Sequence, residues 1–220
     1  GVIIAGTSYR HLIKTYNKYS KIESFENYTA FDFCALVINK YNLNTKLALT
    51  EGKLTDAYLI KKDTIVLSED VAMGKSVADI SVACHEVGHA LQKKQKSSLL
   101  AFQLFLGFFN RIANSLFPLV FLTALVFVFI PSVSGYAPIL FYVGVGMWLL
   151  TVLFRIVLIP VEVDASKRAY KILKDFNIFE KEELKMAKKV LTAAGMTYVG
   201  GLFINLYKLL FGIKKSFRRY

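Results

Sequence analysis

The sequence predicts a mainly α-helical membrane protein with a small β-hairpin, and three observations predict it. Of 220 residues 55% are hydrophobic and the mean hydropathy is +0.43, too apolar for an ordinary soluble domain. Ile112–Ile130 and Ala137–Ile159 approach or exceed the roughly 20 apolar residues that cross a bilayer, and they end at Pro131 and Pro160. A short run rich in β-branched residues, Thr64-Ile65-Val66-Leu67-Ser68, lies in the polar first half.

From the start of the chain, Gly1-Val2-Ile3-Ile4-Ala5 is too short to span and reads as the stub of a removed signal or anchor, or as a trimmed start. Arg10 to Glu26 sets tyrosines and Leu12 among lysines. It reads as an amphipathic helix and loop at the membrane surface. Thr29 with Asp32 three residues on is a capping-box-like start for a helix to about Lys40, with Phe33, Leu36 and Val37 near one face. Residues 45–69 read as β-structure, with Leu54–Ile60 and Thr64–Ser68 flanking the turn Lys61-Lys62-Asp63. Such a hairpin is either plain structure or an edge that takes an extended peptide as an added strand. Ser76 with Asp79 opens the next helix, which runs to about Lys96 and sends Lys93, Lys94 and Lys96 to solvent or lipid headgroups. Leu99–Phe109 reads as an interfacial segment before the first span. Beyond Pro160 a helix over Val161–Ala169 is followed by a charged helix, Phe179–Val190. It leads into a third apolar segment, Ala194–Ile213, which either spans or lies buried at the interface, with Lys208 snorkelling.

The formal net charge is +12, but the basic residues are spread out and form no nucleic-acid motif, so nucleic acid is excluded as a partner. Residues 1–98 hold 13 Lys/Arg, residues 161–189 hold 8, and Ser132–Tyr136 holds none. That asymmetry places both ends of the hairpin of spans in the cytoplasm, as in a multi-pass cell-membrane protein. Lys214, Lys215, Arg218 and Arg219 oppose it if the third segment crosses. Cys34 and Cys84 are too few and too distant for a disulfide framework, and buried free thiols fit a reducing compartment.

The chemistry concentrates in His85-Glu86-Val87-Gly88-His89, an H-E-x-x-H motif. Positions i and i+4 share one helix face, so His85 and His89 can grip one zinc ion. Glu86 stands beside them as general base for an activated water. Gly88 costs roughly 1 kcal/mol against alanine in a helix, which points to another element packed close beside it. A catalytic zinc takes three protein ligands. His11 is the only other histidine and lies in a polar terminal segment. Position 95 is Gln95, which excludes the metzincin pattern. The third ligand is therefore a carboxylate. Glu162 and Asp164 are the first acids to re-emerge after the hairpin. Glu162 is favoured, because Ala165, Ser166 and Ala169 share its face and would let that helix pack against Gly88. Ser166, or else Asp164, would then support a ligand by hydrogen bonding.

His85–Gln92, followed far downstream by Pro160-Val161-Glu162-Val163-Asp164-Ala165-Ser166-Lys167-Arg168-Ala169, resembles the YugP-like family of membrane zinc metallopeptidases. Leu67-Ser68-Glu69-Asp70 and Ala193–Val199 extend the resemblance, which covers the chain from about Lys14 onward. The family is similar to gluzincin-type membrane proteases such as HtpX, where a downstream glutamate completes the zinc site. That pattern carries Asp four residues after the glutamate. Here Ser166 stands there. Family members usually begin with a further membrane helix.

The resemblance implies a zincin-like H-E-x-x-H core on a transmembrane helical base, with one Zn2+ per chain and hydrolysis of peptide bonds in polypeptide substrates. Arg168 and Tyr198 are candidates to stabilise the oxyanion. Residues 1–98 would form a polar part with the hairpin and the metal helix. Residues 99–160 would form the interfacial segment and transmembrane hairpin, and 161–220 the third-ligand helix, the charged helix and the C-terminal apolar helix. The three make one functional unit, monomeric or oligomeric. The competing readings are an intramembrane-cleaving protease and a non-enzymatic membrane scaffold with a structural zinc. Asp79 and Lys93 bracket the motif, which argues against the first, and a structural site would need a fourth ligand.

Overall fold

The computed structural model describes the backbone of residues 2–24 and 26–217, and the side-chain surroundings of residues 9–24, 26–200 and 202. Seven helices and three strands follow in the order α1 (Val2–Tyr19), α2 (Ala30–Lys40), β1 (Lys46–Thr50), β2 (Ala57–Leu59), β3 (Thr64–Ser68), α3 (Glu69–Met73), α4 (Val77–Lys94), α5 (Ser98–Val128), α6 (Ala137–Asp175) and α7 (Lys181–Phe217). The fold is mostly helical with one small mixed sheet.

Local chemistry sets the helix starts. The Thr29 hydroxyl accepts from the Asp32 amide at 3.0 Å and opens α2. Ser76 and Asp79 form a reciprocal capping box at the start of α4, with the Asp79 amide donating to Ser76 Oγ at 3.1 Å and the Ser76 amide to Asp79 Oδ2 at 3.2 Å. Phe33 and Val37 are buried on the core face of α2 as expected, with Ala30 and Cys34 beside them, whereas Leu36 is exposed. The hairpin of β2 and β3 is antiparallel, and β1 joins the other side of β3 in parallel, in the order β1-β3-β2.

The core gathers α2, β3, α3, α4, the far half of α6 and the start of α7. Phe33, Ile65, Leu67, Ile80, Ile172 and Leu173 are fully buried there. The segment Arg10–Glu26 is a helix followed by a loop, as expected, and the helix has a partner within the protein. Its helical part belongs to α1 and docks on the protein, with Tyr19 packed among Ala78 and Val190 and the Tyr16 hydroxyl on Asp79 Oδ1 at 2.5 Å. The aromatic rings find apolar partners in α4 and α7. Lys94 and Lys96 are exposed to solvent as expected, but Lys93 and Lys94 also bond the chain nearby. Lys93 donates to the Ile60 carbonyl at 2.9 Å and pairs with Asp63 at 3.1 Å, pinning the β2–β3 turn, and Lys94 donates to the Asn42 carbonyl at 2.7 Å. Finally, Leu99–Phe109 is not a separate interfacial element. It is the first part of α5, one helix of 31 residues in which Asn114 Nδ2 donates back to the Asn110 carbonyl at 2.9 Å.

α5 and α6 pair as a hairpin, and Pro160 lies inside α6 rather than ending it. Both helices are long and apolar enough to cross a membrane, and only 11% and 6% of their most apolar windows is buried. A core helix of a soluble protein would be mostly covered. Here Phe108, Leu119, Leu122, Phe141 and Tyr142 are more than half exposed. The backbone of α7 runs through the third apolar segment to Phe217. The surroundings of Lys208, Gly201, Gly212, Lys214, Lys215, Arg218 and Arg219, on which the third span and the orientation also drew, lie outside the described residues, as do those of residues 1–5.

Candidate metal centre

The site forms where α4 crosses the far half of α6. Gly88 makes the crossing close: a Cβ there would run into the Ala165 backbone, standing 3.1 Å from its carbonyl carbon and 3.3 Å from its Cα, and closer still to its carbonyl oxygen. The close approach inferred from Gly88 is therefore to α6, the helix that carries Glu162. It brings Glu162 down over the motif, with Ala165 and Ala169 buried on the same face of α6.

His85, His89 and Glu162 converge from these two helices, and their nearest donor atoms lie within 4.8 Å of one another. The Nε2 atoms of His85 and His89 stand 3.2 and 3.4 Å from Glu162 Oε2. A tetrahedral zinc with bonds of about 2.0–2.1 Å spaces its ligand atoms by roughly 3.3 Å. Two imidazole nitrogens and one carboxylate oxygen at these spacings fit zinc in chemistry and in size. Among the described residues no fourth His, Cys, Asp or Glu joins the group. Cys84 turns its thiol to the Ala169 carbonyl at 3.5 Å, and His11 lines a groove with α7 residues away from this cluster.

Each histidine is also held from behind. His85 Nδ1 meets Ser166 Oγ at 3.2 Å, and that hydroxyl donates weakly to the Leu191 carbonyl at 3.5 Å, leaving a lone pair for the Nδ1 proton. His89 Nδ1 donates to Gln92 Oε1 at 3.0 Å. Gln92 is fully buried. Its Nε2 donates to the Val161 carbonyl and to Asp164 Oδ2, both at 2.8 Å. Two acceptors on the amide nitrogen fix which way the amide faces, so its oxygen must look at His89. With Nδ1 engaged from behind, each ring turns Nε2 to the centre, where it donates to Glu162 in the metal-free protein and would bind a metal once deprotonated. The sequence reading did not single out Gln92. Its position seven residues after His85 and three after His89, on the same helix face, was the available signal.

Asp164 is held in turn by Arg168 Nε at 2.8 Å, and Arg168 reaches Gln95 through a second donor. Asp164 and Arg168 thus brace Gln92. Tyr198, from α7, sets its phenol beside the Glu162 carboxylate and near Glu86. Gln92→Leu should weaken zinc binding about 10–100-fold while the fold survives, measured by chelator competition. An unchanged affinity would show that the amide does not orient His89.

Charge is balanced tightly without a metal. Burial opposes ionisation of Glu162, but hydrogen bonds from His85 and His89, and then their charges, lower it from 4.5 to about 2. Burial likewise disfavours charged His89, yet the bond to Glu162 and the charges of Glu86 and Glu162 raise it above 6.5. The signs set a window. The lowered carboxylate stabilises the metal-free fold fully above pH 4.5 and loses that contribution as pH falls toward 2. The raised imidazole contributes fully below pH 6.5 and is lost as pH rises through its folded value. Metal-free protein should be most stable between about pH 4.5 and 6.5, and zinc, which needs neutral imidazoles, should move that optimum upward. Thermal unfolding across pH, with and without zinc, reads this directly.

The sequence pattern of the family described as "Putative neutral zinc metallopeptidase" matches residues 1–215. The "Putative membrane protease YugP" of Bacillus subtilis (strain 168) is 31% identical over 208 residues, covering 89% of this chain and 84% of that protein. No solved structure matches the chain. A match along nearly the whole sequence, to a family whose metal suits the three donors gathered at this crossing, shows that the chain belongs to the "Putative neutral zinc metallopeptidase" family and is a zinc-dependent peptide hydrolase.

Proposed function

We propose that the protein is a membrane-anchored zinc metalloendopeptidase with one zinc held by His85, His89 and Glu162. The convergence of these three side chains at ligand spacing carries the reading. Zinc bound there supplies Lewis acidity, polarising the scissile carbonyl and making water acidic near neutral pH. Glu86, one residue along α4 from His85, takes the proton of the attacking water and passes it to the leaving amine. Tyr198 is the donor to the developing oxyanion, because two donors of Arg168 are already committed to Asp164 and Gln95. Ser166 and Gln92 keep the imidazoles aimed.

The substrate backbone adds to the free edge of β2. Asp56, just before that strand, lies near enough to Glu86 for their charges to interact, and the Ile60 carbonyl just after it takes Lys93 further along α4, so β2 follows the metal helix. α5 and α6 cross the bilayer as a hairpin, and the site lies on the cytoplasmic side, beyond the apolar part of α6. Three parts work as one unit: residues 1–98, the hairpin 99–160, and 161–220. A structural-zinc scaffold is disfavoured because no fourth ligand stands near among the described residues.

Purified protein reconstituted in vesicles should cleave an unstructured polypeptide such as casein, stop when a chelator strips the metal, and resume on zinc addition. A preparation with one zinc per chain and no peptidase activity on any tested polypeptide would leave the scaffold reading standing.

A further inference from the structure

We propose that the groove between α1 and α7 binds the headgroup of an anionic phospholipid. The cavity is about 700 Å³ and its walls carry His11, Lys14 and Lys18 from α1 and Lys185, Lys188 and Lys189 from α7. No acidic residue lines it among the described residues. Lys185 is engaged by Glu182 at 2.6 Å, which leaves four lysines facing a shared space. Like charges with no acidic partner among the described residues raise the local potential at such a groove and concentrate an anion.

Tyr19, Ala193 and Met196 also line the groove and add apolar surface to it. A phosphate flanked by acyl chain matches basic and apolar lining together, whereas free phosphate leaves the apolar part unused. The level is also right. Met196 borders a second groove lined by Ile159 and Val163 of α6, so it stands where the apolar stretch of α6 ends. Lys188 and Lys189 precede Met196 by seven or eight residues, roughly 10–12 Å along a helix. The polar zone of a bilayer is about 5–8 Å deep on each side, and a lysine stem covers the difference. The lysines thus hang at headgroup depth on the side of the membrane where the metal centre lies. The inference rests on the membrane placement proposed above.

The test titrates short-chain phosphatidylglycerol into the detergent-solubilised full chain, with short-chain phosphatidylcholine and inorganic phosphate in parallel. The expected result is saturable binding of phosphatidylglycerol alone. Lys14→Gln/Lys18→Gln/Lys188→Gln/Lys189→Gln should weaken it about a hundredfold or more, as each lysine near an anionic surface contributes on the order of fivefold. A charge-matched variant elsewhere, Lys40→Gln/Lys46→Gln/Lys61→Gln/Lys62→Gln, should leave it unchanged. If the quadruple groove variant misfolds, the exposed pair Lys188→Gln/Lys189→Gln still reads a several-fold loss. Equal binding of phosphatidylcholine, equal affinity for inorganic phosphate, or an equal loss in the charge-matched variant overturns the proposal. Protein that enters phosphatidylcholine vesicles yet shows no preference for phosphatidylglycerol sinks this inference alone. Protein that enters no vesicle sinks it together with the membrane placement.

Discussion

Glu86→Gln should keep its zinc and lose its peptidase activity. The substitution preserves shape and removes the basic oxygen. Glu86 is buried in α4 between His85 and Val87 and is not one of the three converging side chains, so metal content should stay at one per chain. Positioned general acid–base catalysis contributes about 10²–10⁴-fold, and kcat should fall by that range with KM little changed. The measurement is steady-state cleavage of a quenched-fluorescence peptide alongside elemental analysis of the same sample. Full activity with zinc bound would remove Glu86 from the mechanism. Loss of zinc together with activity would make it a ligand or a structural support instead.

Glu162→Ala should lose the metal itself. It leaves two imidazoles from one helical turn and nothing from α6 to close the set. Zinc should leave on dialysis against a moderate chelator that does not strip the wild type, and activity should drop to background. Stability without metal should fall too, by at most about 3 kcal/mol, because breaking a buried pair strands its partner while neutral imidazoles soften the loss. Asp164→Asn is the informative companion. Asp164 touches Gln92 and Arg168, not the histidines. It should therefore keep zinc and weaken it only about 10–100-fold. Zinc lost from Asp164→Asn but retained by Glu162→Ala would reverse the assignment of the third ligand.

How much of this was legible in the residues depends on how far each contact reaches along the chain. The caps at Thr29 and Ser76 span three residues and are read from local spacing. So is the shared face of His85 and His89, since the helical period alone sets it. The β2–β3 hairpin joins neighbours across a short turn and is legible for the same reason. The added strand β1 is not: parallel pairing with β3 is decided by what else must be buried. Lys93 and Lys94 look like solvent-seeking charges in sequence. Only the folded chain shows the loop carbonyls they satisfy.

By itself, then, the sequence determined the helical periodicity, the apolar hairpin and the presence of two imidazoles one turn apart, all of which follow from backbone geometry within a few residues. The residues also ranked Glu162 above Asp164 and pointed to a close neighbour at Gly88; the tertiary structure alone decided how Gln92 is aimed and that it is the Ala165 backbone that excludes a side chain at position 88. Those outcomes depend on α6 crossing α4 at near-backbone contact, with Gln92 and Val161 69 residues apart. Such a contact arises from packing complementarity across the core, and no local period encodes it.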